Sequence, residues 1–175
     1  FFNTLNNLYA MALEKADQTP QVILKLSDMM RYTIYDCKES EVAVGQEINY
    51  LENYITLQQI RHDAGNKIKF EKDVTDQAVK IAPMILIVFL ENAFKHGLEM
   101  SENGFINIQL KVTEKELYFS IENSYEAPIE ELPRGLGLDN ARRRLSLIYP
   151  AVHTLDIKQD DDVYKIELSI QLNTL

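Results

Sequence analysis

Two stretches of this chain carry side chains whose types and spacing suit chemistry on a phosphate. The first is residues 83–97, which end Glu91-Asn92-Ala93-Phe94-Lys95-His96-Gly97. As a helix, this segment puts Asn92 three and four residues before Lys95 and His96, so all three share a face. An amide oxygen is a hard ligand for Mg²⁺, and an ammonium meets phosphate oxygens. The plainer alternative is a polar helix end with a Glu91–Lys95 ion pair. The second stretch is residues 134–145, Arg-Gly-Leu-Gly-Leu-Asp-Asn-Ala-Arg-Arg-Arg-Leu. Gly135 and Gly137 allow a tight turn and close backbone approach where a helix begins. Free amides and the helix dipole favour an anion at such a place. Residues 134–144 carry a net charge of +3 inside a chain of net charge −9. The alternative here is a glycine turn feeding a helix with a solvated basic face.

Asn123, at the end of an alternating run, is either an amide that reads a purine or an ordinary turn former. Three asparagines fall within residues 1–7, an unusual density for a helix or else a frayed end. Other chemistries find little support. His62, His96 and His153 lie on different segments and make no HxxxH, so a zinc site is improbable. No GxSxG is present, and Asn140 stands where GxGxxG would need its third glycine. The single cysteine, Cys37, excludes an internal disulfide and points to a reducing compartment. The acidic total argues against general nucleic-acid binding. The longest apolar run, residues 84–90, is too short to span a bilayer. The chain opens at Phe1 without an initiator methionine and reads as a piece of something longer.

Two different kinds of segment must position these groups. Residues 1–62 hold one glycine and one proline, and their apolar residues recur at helical spacing. The stripes are Leu5, Leu8, Ala12 and Ala16; then Val22, Leu26 and Met29 or Met30; then Ile48, Leu51 and Ile55. Thr19-Pro20 reads as an N-cap with Pro at the first helical position. Three helices with short links are expected. Beyond Gly65 the pattern alternates. Residues 67–74, 105–112, 117–121, 153–158 and 163–172 read as strands, with a hairpin turn at Lys115-Glu116. The segment 83–97 is a buried helix opening at Pro83 and closing at Gly97. Residues 127–137 form a loop, followed by a helix on Leu138, Ala141, Leu145 and Ile148. The class is α+β: a helical region, residues 1–63, then a two-layer α/β sandwich, residues 64–175.

The order of these pieces resembles the sensor histidine kinases of the LytS-like type, which carry the GHKL (Bergerat) ATP-binding fold. The resemblance rests on Phe-Phe-Asn-Thr-Leu-Asn at the start and on residues 47–62. It continues through Phe89-Leu-Glu-Asn-Ala-Phe-Lys-His-Gly97, the strand ending Ile-Glu-Asn-Ser, and Gly135-Leu-Gly-Leu-Asp-Asn-Ala-Arg-Arg-Arg-Leu145. It implies ATP and Mg²⁺ as cofactors. Asn92 would hold Mg²⁺, Lys95 would meet phosphate, and His96 and Gly97 would border the nucleotide. Gly135, Leu136, Gly137 and Leu138 would form the glycine box, with Asn140 and Arg143 nearby. Glu91 would polarise the incoming imidazole or simply partner Lys95. Many members read adenine with Asp-x-Gly, and here Asn123 and Tyr125 stand at those positions. Phe1-Phe2-Asn3 looks like the tail of the family's phosphoacceptor motif, which places that histidine two residues before Phe1. The implied function is autophosphorylation followed by transfer to a response regulator. The helices would form a homodimer, and upstream segments would anchor a cytoplasmic domain to the bacterial inner membrane. A nucleotide-binding regulatory module with weak or no kinase activity is the alternative.

Overall fold

Three helices come first, and each has a physical reason to sit where it does. The structure, a computed structural model, describes residues 2–61, 67–98, 104–126, 136–160 and 162–172. Helix α1 is Phe2–Leu13 and α2 is Thr19–Ile34. A short 3₁₀ turn, Asp36–Lys38, leads to the two-residue strand β1, Val42–Ala43, and to α3, Val44–Arg61. Val22, Leu26 and Met29 of α2 are buried, as are Ile48, Leu51 and Ile55 of α3, so both stripes face the core. Tyr32, one turn beyond Met29, is buried with them and stacks at a tilt on Tyr50 with ring centres 5.1 Å apart.

One expectation fails in this region. Thr19 does not cap α2: its hydroxyl donates backwards to the Ala16 carbonyl at 2.7 Å, and the preceding Gln18 makes no side-chain cap either. The α1 stripe is only partly covered: Leu8 packs against the core and Ala16 is half-buried, while Leu5 is half exposed and Ala12 is exposed.

The second part is a five-stranded sheet with helices on one face. Its strands are β2 (Lys67–Val74), β4 (Phe105–Val112), β5 (Glu116–Ser124), β6 (His153–Gln159) and β7 (Val163–Gln171). The short β3, Lys80–Ile81, lies outside this sheet. The order is β2-β4-β5-β7-β6, with β2 parallel to β4 and every other pair antiparallel. Alternation decides which face is dry. Ile106, Ile108 and Leu110 of β4, Leu117, Phe119 and Ile121 of β5, and Ile166 and Leu168 of β7 are buried. The β4–β5 turn closes on Thr113, whose hydroxyl accepts the amides of Lys115 and Glu116 at 3.3 and 3.1 Å.

Helices α4, Ile87–Gly97, and α5, Leu136–Ile148, cover the dry face. Sequence spacing placed the start of α4 at Pro83. Instead residues 83–86 form a turn, with Met84 at φ 57°, and the helix begins at Ile87. Helix α5 begins two residues earlier than expected, so Leu136 and Gly137 are helical. The two parts share one core. Strand β1 pairs with β3 across them, Val42 opposite Ile81, and Tyr54 of α3 meets Phe94 of α4 edge-on at 5.5 Å.

Candidate functional site

The C-terminal turns of α4 meet the end of β5 at a point of very close backbone approach. Gly97, the last residue of α4, is buried, and a methyl there would stand 2.9 Å from Asn123 Cβ and 3.0 Å from its Nδ2. Gly104 is tighter still, since a Cβ on it would lie 2.1 Å from the Gly97 carbonyl oxygen. Ser124 ties the two elements together. Its hydroxyl donates to the Gly97 carbonyl at 2.6 Å and accepts the Phe105 amide at 3.2 Å. Nothing in the sequence marks Ser124 for this task except its place after Asn123.

Asn123 is 1% exposed and lies on the dry face of the sheet, at its open end. Its Nδ2 donates to the Ser124 carbonyl at 2.7 Å, which fixes the amide's orientation. Oδ1 is then the free end, and it is buried without a hydrogen-bond partner. A buried acceptor without a donor costs about 1–3 kcal/mol. An exocyclic amino group of a purine is a donor of the right kind. Next to it, the Tyr125 amide donates to the Asp162 carbonyl at 2.8 Å, and its ring lies 5.9 Å from that of Tyr164. Burial pushes the Tyr164 hydroxyl above its usual range, with Arg142 of α5 acting the other way.

Along α4, Asn92 and His96 are half-buried, and Lys95 and Glu91 are exposed. Among the described residues no ion pair joins Glu91 to Lys95, so that expected pairing does not form. Partial desolvation raises the Glu91 carboxyl even though its surface is exposed. Helix α5 packs beside α4: a methyl on Gly137 would reach Val88 Cγ1 at 3.8 Å, ordinary contact. Leu138 is half-buried, and Asn140 and Arg143 are exposed on the same helix. Gly135 and the loop 127–135 lie outside the described residues, as does Phe1.

The pieces fit a bound nucleotide. Asn123 offers an unused acceptor, Gly97 lets α4 pack directly against it, and Asn92 and Lys95 stand on the same helix. Among the described residues no cluster of three or more His, Cys, Asp or Glu side chains could hold a metal alone. Mg²⁺ is usually held by few protein ligands together with phosphate oxygens and water, which suits a single amide.

Comparison with known proteins decides the type. Residues 1–66 match the histidine kinase family model. The sensor protein LytS of Staphylococcus saprophyticus is 23% identical over an alignment that covers the whole chain and 32% of that protein. The chain is a LytS-like sensor histidine kinase segment. An uncharacterized sensor-like histidine kinase of Staphylococcus epidermidis is 34% identical to this LytS-like chain over 70% of its length, covering 24% of that protein. The chain thus spans about a third or less of the curated relatives it matches. Solved structures of the histidine kinase ThkA share the fold. Its nucleotide-free catalytic domain gives a TM-score of 0.53 at 19% identity, over 75% of this chain and 95% of that one. Its complex with the response regulator protein TrrA gives 0.55 at 18% identity, over 91% and 51%. The α+β architecture of the LytS-like segment is therefore that of histidine kinase catalytic domains.

Proposed function

We propose that this chain is the catalytic part of a two-component sensor kinase. It binds Mg-ATP and directs the γ-phosphoryl group to a histidine just upstream of Phe1, from which a response regulator takes it. Residues 64–175 are the ATP-binding domain, and residues 1–63 are the dimerisation and phosphoacceptor region. The observation that carries the reading is the buried, unpartnered Oδ1 of Asn123, oriented by Ser124 and packed against Gly97 at the end of α4. In this reading Asn123 accepts the adenine amino group. The side chain of Asn92 holds Mg²⁺, and Lys95 neutralises phosphate charge. In this reading the glycine box, Gly135, Leu136, Gly137 and Leu138, supplies further donors to the polyphosphate, and Asn140 and Arg143 add to them. Mg²⁺ supplies charge neutralisation on the transferring phosphoryl group. In this reading Glu91, whose carboxyl is raised by partial burial, accepts a proton from the incoming imidazole.

The helical part supports a homodimer. Ile23, Met30 and Ile34 repeat along one side of α2 and are each about half exposed, and Tyr9 and Leu13 of α1 are more exposed still. Apolar stripes of that kind call for cover. No helix among the described residues is long and apolar enough to cross a membrane, so membrane attachment would come from other parts of the whole protein. The response regulator as partner is supported by the ThkA–TrrA complex.

Tyr125 favours a second reading. It stands where the family's adenine-reading motif has glycine, and its bulk beside the base suits a regulatory nucleotide module with weak or no transfer. One experiment separates the two. The chain, extended upstream to include the expected histidine, is incubated with Mg-ATP and assayed for acid-labile phosphate on protein. Label that disappears when that histidine is replaced supports the kinase. Nucleotide binding without label supports the regulatory module.

A further inference from the structure

The turn that launches α4 is held by side chains from α3 and α5 and from the residue that follows α5. Met84, within this turn, adopts φ 57°, a left-handed conformation unfavourable for a residue with a side chain. Such a conformation persists only when its surroundings over-determine it. Glu47 of α3 accepts the Met84 amide at 2.6 Å through Oε1, and the Tyr32 hydroxyl of α2 donates to the same oxygen. Arg144 of α5 donates to the Pro83 carbonyl at 2.6 Å and to the Met84 carbonyl at 3.3 Å. The Tyr149 hydroxyl accepts the Ala82 amide at 2.7 Å. Helix α4 has no side-chain cap of its own, since Leu86 precedes its first residue.

Glu47 is the centre of this arrangement. It is fully buried, and its second oxygen, Oε2, has no partner in hydrogen-bond geometry. Burial pushes its carboxyl up, while the Tyr32 hydroxyl, the amides of Met84 and Leu86, and the Arg144 charge act the other way. A buried carboxyl is costly, and hydrophobic packing alone would be served better by leucine. Its placement against the amides at the start of α4 is electrostatically favourable to the helix dipole.

We infer that Glu47 is a positioning residue for the nucleotide site: by holding Met84 it sets the start of α4, and through Tyr32 it ties that helix to the packing of α2 against α3. Helix α4 is 11 residues long, about 16 Å, and is buried along one side by Phe89, Leu90, Ala93 and Phe94. A shift at its first residue is therefore carried to Asn92 and Lys95, roughly one and two turns further on. Glu47 does not touch the nucleotide. It acts through the backbone of the turn. The same turn receives Arg144, so α5 is registered against α4 at the point where α3 arrives. The inference rests on reading Asn92 and Lys95 as nucleotide ligands.

Amide hydrogen exchange on the free chain, paired with Mg-ATP titration, tests it in Glu47→Ala, Glu47→Gln and Tyr32→Phe. In Glu47→Ala, exchange across residues 87–97 should rise roughly tenfold, the order expected for losing a helix cap, while residues 105–124 stay as they were. The dissociation constant for Mg-ATP should rise by a similar factor. Glu47→Gln keeps an acceptor for the Met84 amide and should rescue most of both effects. Tyr32→Phe should cost less in the Glu47→Ala background than in wild type, because its bond to Glu47 is already gone there. Should Glu47→Ala not fold, Tyr32→Phe removes one hydroxyl and carries the same comparison of 87–97 with 105–124. Unchanged exchange over 87–97, or an equal rise in every segment, overturns the inference. A wild-type chain that binds no Mg-ATP overturns the nucleotide reading instead, and the exchange contrast still decides whether Glu47 holds α4.

Discussion

Gly97 and Asn123 approach so closely that a methyl group on the glycine would stand 2.9 Å from the asparagine Cβ. The obstacle is a buried side chain held by its own hydrogen bond to Ser124, so it has little room to yield. Gly97→Ala should therefore destabilise the chain by about 1–3 kcal/mol, the range for an overpacked core. It should also weaken nucleotide binding by displacing Asn123. Urea unfolding and Mg-ATP titration measure the two effects, and a variant as stable and as tight-binding as the wild type contradicts the contact.

Lys95 and Asn123 should fail in different ways. Lys95→Ala removes an ammonium assigned to phosphate, so it should weaken ATP by roughly tenfold, about 1.4 kcal/mol, and leave adenosine nearly untouched. Asn123→Ala removes an acceptor assigned to the base, so ATP and adenosine should weaken together. Competition binding with the two ligands reads the pattern. Equal losses in Lys95→Ala would remove the phosphate role.

The outer face of the sheet carries its own pH signature. The Tyr118 hydroxyl donates to Glu167 at 2.8 Å, and Lys165 lies 3.0 Å away, which together hold the Glu167 carboxyl down at about 2, against an ordinary value of 4.5. A depressed carboxyl contributes stability that is complete above about pH 4.5 and is lost as pH falls from there towards 2. The group is near the surface, so solvent screening keeps the effect small. Wild type should exceed Glu167→Gln in urea midpoint at neutral pH, and the gap should close between pH 4.5 and 2. A gap that is constant with pH would show that Glu167 acts by packing alone.

Much of this architecture was readable from periodicity, and the exceptions share a cause. The stripes Val22-Leu26-Met29 and Ile48-Leu51-Ile55 and the alternating strands lie where their spacing puts them, because one dry face per element leaves a repeating mark. The start of α4 did not follow Pro83. Its position depends on Glu47, Arg144 and Tyr149, which are 37, 60 and 67 residues away along the chain from the groups they hold. Strands β1 and β3 are two residues each, too short to show a period. Asn92, Lys95 and His96 share a helix as their spacing requires. Asn123 could not be told from a turn former until the Gly97 backbone and Ser124 were seen to bury it. The α1 stripe lies on a helix as its spacing requires, though apolar spacing marks a face to be covered without saying by what.

The most direct measurement is calorimetric titration of the chain with ATP, with and without Mg²⁺, in wild type and Asn92→Ala. Saturable binding that requires Mg²⁺ and weakens by roughly tenfold or more in Asn92→Ala is the expected result. No saturable binding at millimolar ATP, or binding that Asn92→Ala and the removal of Mg²⁺ leave unchanged, would contradict the assignment of this site.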